Sequence, residues 1–85
     1  MVTKIYAVFD SKVGAYLQPM FFRSNGEAIR AFASAVSDAE HQFSKFASDY
    51  TLFELGAFND ENAQFDILAA PVPLGCAIEF KAKSE

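Results

Sequence analysis

Eighty-five residues, 52% of them hydrophobic and 21% charged, fit one domain, because two cores of half that size would each bury too little apolar surface against chain entropy. The single cysteine excludes an intramolecular disulfide, and no apolar run approaches the roughly 18 residues that a membrane-spanning helix needs. Seven Lys and Arg against eleven Asp and Glu leave a formal charge of -4, which opposes long-range attraction to nucleic acid or anionic lipid, so any polyanion must be met by a local basic patch.

Along the chain, residues 3–9 (TKIYAVF) are β-branched and aromatic and alternate Ile5, Ala7 and Phe9 against Lys4, Tyr6 and Val8, the period of a central strand. The segment opens MVTKIYAVFD without the basic, apolar and small-residue order of a secretory signal, so it is read as part of the mature fold. Asp10-Ser11-Lys12-Val13-Gly14 is turn-forming, and residues 15–22 then read as a second, antiparallel strand. Pro19 has no amide to donate, which makes this an edge strand or places a bulge there. Ser24-Asn25-Gly26-Glu27 carries the spacing of a capping box and starts a helix. Ile29, Phe32, Ala33 and Val36 fall on one stripe of it, and it is expected to end near Ala39.

Residues 40–50 read as an irregular loop or short helical turn pinned by Phe43 and Phe46. Residues 51–58 and 63–68 are strand-like and flank Asn59-Asp60-Glu61-Asn62, a connection of hairpin length. Pro71, Pro73 and Gly75 break the next stretch, and residues 77–81 read as a last strand or a packed extended tail. The expected fold class is therefore α+β over residues 1–85: a small antiparallel sheet of four to five strands, with one amphipathic helix packed on one face, in the order ββαββ.

For chemistry, His41 and Cys76 are the sole candidates for a base and nucleophile, and nothing in the spacing pairs them. One His and one Cys supply two of the four ligands zinc takes, and Asn59 to Asn62 has neither the length nor the internal Gly of a calcium loop. The four glycines are scattered singly, so no phosphate cradle forms. The reading is of a binding protein, not an enzyme, with no cofactor and no metal. What remains is a set of cations among ten Phe and three Tyr: Lys4 and Tyr6 on the first strand, Lys12 and Tyr16 at the first hairpin, Arg23 beside Phe21 and Phe22, and Lys45 beside Phe43 and Phe46. Rings offer faces on which any base can stack, at about 1–3 kcal/mol each, while neighbouring cations neutralise phosphates. The same rings and an edge strand equally suit a protein contact.

The stretch YAVFDSKVGAYLQPMFFRSNGEAIRAF, followed by HQFSKFASDYTLFELGAFND and closing on LGCAIEF, resembles the small nonstructural protein of the gokushovirus branch of the microviruses, phages with circular single-stranded DNA genomes. The Asp10-Ser11-Lys12 turn with Tyr16, Pro19, Phe21 and Phe22, and the Asp49-Tyr50-x-Leu-Phe-x-x-Gly56 segment, carry most of the likeness. The resemblance implies a DNA-binding protein of the host cytoplasm that helps switch genome replication toward single-strand synthesis and packaging. It brings no agreed contact residues. Lys4, Tyr6, Lys12, Tyr16, Arg23 and Lys45 are proposed as those contacts on charge and ring placement alone, with single-stranded DNA as ligand and a homodimer joining two modest sites into one track. The alternative is an interaction module for a capsid, scaffolding or host replication protein. No membrane partner is expected.

Overall fold

β-Branched and aromatic residues draw the N-terminal segment into strand β1 (Val2–Asp10), which lies inside the sheet as its alternation requires. The computed structural model describes residues 1–83. Asp10 ends β1 by folding its carboxylate over the turn, where Oδ1 accepts from the Lys12 and Val13 amides at 3.0 and 3.4 Å. Gly14 completes the turn at φ +77°, a conformation a side chain would resist. β2 (Ala15–Tyr16) and β3 (Met20–Phe22) then form two lengths of one edge, both antiparallel to β1. Pro19 lies in the gap between them, the interruption that its missing amide predicts.

Ser24 caps helix α1 (Asn25–Ser37), its hydroxyl accepting from the Glu27 amide at 3.2 Å. The Glu27 carboxylate reaches back to the Arg23 amide at 2.9 Å, one residue beyond the cap. Ala28, Phe32 and Val36 bury one stripe of α1 against Tyr6, Val8, Tyr50 and Leu52 of the sheet. A short helix α2 (Gln42–Lys45) and a 3₁₀ turn (Ala47–Asp49) lead into β4 (Tyr50–Asn59), which pairs with β1 over its whole length. β5 (Gln64–Cys76) runs antiparallel along the far side of β4 and passes directly into helix α3 (Ala77–Lys83). The spatial order is β2/β3, β1, β4, β5.

Two expectations are corrected. The order is not ββαββ with one helix, because residues 77–81 are helical, and three helices lie among the described residues. Ala77 and Phe80, one turn apart, pack on the core, and the Phe80 ring meets Phe32 edge-on at 5.6 Å. The prolines also fail to end β5. Between the pairs Gly56–Ile67 and Glu54–Val72, β4 has one residue, Leu55, and β5 has four, so residues 68–71 bow out and the strand resumes with Pro73 opposite Phe53. Leu55 is also an extra residue against β1, so both neighbours of β4 change register at the same place. Gly56 fits beside this irregularity because a Cβ there would stand 2.8 Å from Ile67 Cα and nearer still to the Asp66 carbonyl oxygen.

Candidate nucleic-acid interface and the open face of the sheet

The helices cover one face of the sheet. On the other lie Ile5, Ala7 and Phe9 of β1 with their register partners, among them Tyr16, Phe21 and Phe53, and these neighbours leave Ile5 and Ala7 themselves buried. Rings gather there in two groups. Phe9, Tyr16 and Phe53 meet with centroids 4.9–6.4 Å apart, while Phe58 lies 6.2 Å from Phe21 and 4.7 Å from Phe65. Between β3 and the bowed part of β5 runs a groove of about 300 Å³, floored by Ile5 and Leu55 and walled by Pro19 and Phe21 on one side and Leu68 and Pro71 on the other. Phe65 and Ile67 extend the same lining, and no charged residue enters it.

The six sequence-derived contacts do not form one cluster. Tyr6 is fully buried under α1, its hydroxyl donating to Asn25 Oδ1 at 2.6 Å, so it has no face to offer a base and leaves the contact set. Burial, then the Glu54 and Glu27 carboxylates, raises its pKa above the ordinary 10.0. The Lys4 ammonium, on the same face of β1, is paired with Glu54 at 3.5 Å. Arg23 follows Phe22, which lies opposite Lys4, whereas Lys12 sits in the turn beyond the other end of β1. At about 3.3 Å per residue, the backbone at Lys4 and the end of β1 at Asp10 stand about 20 Å apart along that strand. The expectation that Lys4, Tyr6, Lys12, Tyr16 and Arg23 converge on the first hairpin is therefore corrected to two separate ends.

One end does assemble. The Ser11 amide and hydroxyl both donate to the Asp49 carbonyl, at 2.9 and 3.1 Å, and clamp the first turn onto the 3₁₀ segment. Lys12 thereby lines a cavity of about 270 Å³ with Phe46, Tyr50, Asp10 and Asp49. Phe46 is 56% exposed and follows Lys45, the last residue of α2. Tyr16, 45% exposed, leaves the same turn on β2 but turns its ring to the open face with Phe9 and Phe53, so it stands apart from this cavity. Neither Lys12 nor Lys45 is in an ion pair among the described residues. The patch couples an exposed ring to cations, which is the composition that single strands need, although Asp10 and Asp49 weaken its field. The sequence marked Phe46 as the neighbour of Lys45 and as a ring pinning residues 40–50, but Phe43 does the pinning and Phe46 is exposed. The apolar groove was signalled by β1 itself, whose two faces are both apolar.

His41 and Cys76 are engaged separately. His41 Nδ1 caps α2 by accepting from the Phe43 amide at 3.0 Å, while the Cys76 thiol points at the carbonyls of Ala47 and Ser48, at 3.5 and 3.9 Å. Among the described residues, no group of three or more His, Cys, Asp or Glu could hold a metal ion, and no helix is long and apolar enough to cross a membrane.

Compared with known families, residues 3–80 match the model of the family described as Phage ORF5 protein. The chain belongs to this phage family. The match runs from β1 into α3, so the ORF5-family segment includes the ring-bearing open face, the Lys12 turn and the bowed β5. No curated protein and no solved structure matches the chain.

Proposed function

We propose that this phage protein is a single-stranded DNA-binding nonstructural protein of the gokushovirus type, acting in the host cytoplasm in replication switching or genome packaging. The observation that supports this reading is the joining of Lys12 with the exposed Phe46 ring in one cavity, with Lys45 adjoining Phe46 in the chain. The ring supplies sequence-tolerant stacking and the two ammonium groups supply phosphate contacts, while the net charge of -4 keeps affinity low. Membership of a phage family fits the role, and the choice of single-stranded DNA as ligand draws on the resemblance to proteins of single-stranded DNA phages.

Fluorescence anisotropy with a labelled oligothymidylate tests it. With two or three phosphates neutralised, the single-strand salt slope is about -1.4 to -2, so a tenfold rise in salt should weaken binding about 25- to 100-fold. Lys12→Glu with Lys45→Glu should abolish binding, Phe46→Ala should weaken it about tenfold, and Arg23→Glu should change it little. An unchanged anisotropy at low salt removes the DNA reading. The second reading, docking on a capsid, scaffolding or host replication protein, draws on the uncharged ring-lined open face, and under it the two charge reversals leave function intact in a phage plaque assay.

A further inference from the structure

The groove between β3 and β5 stands apart from the Lys12 end and is independent of the DNA reading. Phe21, Phe65, Ile67 and Leu68 are 50%, 59%, 60% and 38% exposed. Taking roughly 150–250 Å² for a full aromatic side chain and slightly less for Leu or Ile, these four leave about 400 Å² of apolar surface open. That is half of the ~800 Å² each partner contributes to a standard stable interface. The exposed residues Pro19 and 69–71 adjoin it. The whole chain shows 5438 Å², more than the about 5000 Å² expected of a folded monomer of its mass.

We infer that this groove is a self-association surface, and that its occupant is the bowed 68–71 segment of a second copy of this chain. The reasons are shape and charge. The bow and the groove lie side by side on one face, so a two-fold axis between them seats each copy's Leu68 and Pro71 against the other's Phe21 and Ile67, the reciprocity an isologous contact demands. A protein of net charge -4 meeting itself must avoid like charges at the contact, and the groove lining contains none. Ile5 and Leu55 floor the groove, with Ile5 only 4% exposed, so the surface left to a partner is that of Phe21, Phe65, Ile67 and Leu68.

Light scattering coupled to gel filtration, with the full chain loaded from 1 to 100 μM, reads the result. The expected mass rises to twice the 9.4 kDa of the chain. Ile67→Lys, and separately Phe65→Ser, should return it to one chain mass at every concentration with an unchanged circular dichroism spectrum, while Val13→Lys, at an exposed turn position, should leave the dimer intact. A wild-type monomer at 100 μM overturns the inference, as does a dimer that survives both groove variants. A monomer that binds only an unrelated phage protein through these residues overturns it too. Loss of DNA binding by Lys12→Glu with Lys45→Glu leaves the mass unchanged, which keeps the two readings separable.

Discussion

The Tyr6 phenol bridges β1 and α1: its ring tilts against Phe22 at 5.9 Å, and its hydroxyl reaches Asn25 in the first turn of the helix. Removing that hydroxyl with Tyr6→Phe should cost about 1 kcal/mol, the net worth of one hydrogen bond between neutral groups. The same phenol couples stability to alkali. Burial raises the pKa of Tyr6, and also that of Tyr50, where the carboxylates of Asp10 and Asp49 add to the effect. Both groups stay protonated in the fold when the unfolded chain begins to ionise near pH 10, so the unfolded state binds fewer protons above that point. Stability is full below pH 10 and falls as pH rises past it toward the folded-state pKa values. Urea midpoints measured at pH 8, 10 and 11 should drop only in the last interval, and Tyr6→Phe should flatten the drop. A midpoint independent of pH across that range would show that these phenols are solvated in the native state.

Among the elements, β4 and β5 depend most on one position. Gly56 allows the β5 backbone to pass close to β4 before residues 68–71 bow outward. Gly56→Ala should therefore force the strands apart, costing about 1–3 kcal/mol by overpacking, and a thermal melt no lower than wild type would contradict the close approach. The elements fixed by local chemistry were legible in the sequence. β1 showed its alternation, the first turn its Asp and Gly, the edge its Pro19 break, and α1 its Ser24 cap. What escaped depends on distant partners. β5 looked finished at Leu68 because Pro71 and Pro73 interrupt any one-dimensional pattern, yet the bow absorbs three residues and lets pairing resume. α3 looked extended because seven residues give barely two turns of periodicity, and its helicity relies on Phe80 meeting Phe32 and on Lys81 Nζ donating to the Ser44 carbonyl at 2.9 Å.

Over the whole molecule, the charges and the rings are distributed differently. Cations sit around the helical side and at both ends of β1, and the open face is apolar, so a count of Lys and Arg gave the right ingredients without their grouping. Lys12 and Phe46 are 34 positions apart in sequence and meet only through the Ser11–Asp49 clamp, a contact with no local signature. Tyr6 was named a contact on its ring and its place beside Lys4, and alternation says which residues share a face without saying which face a helix will cover. The radius of gyration, 13.2 Å against the about 12 Å usual for a compact chain of this length, records a broad sheet with one face uncovered.

The lone thiol lies where β5 hands over to α3, with Sγ aimed at the carbonyls of Ala47 and Ser48 beneath that helix. The thiol is half-buried, so its reaction with a neutral disulfide reagent should be slowed in the closed fold and quickened whenever the C-terminal helix lifts off. If α3 detaches as its own unit, Cys76 will be modified in native buffer with an opening free energy well below that of global unfolding, and Phe80→Ala will speed modification while leaving the urea midpoint less affected. Equal free energies for labelling and for unfolding would instead mean that helix and sheet open only together.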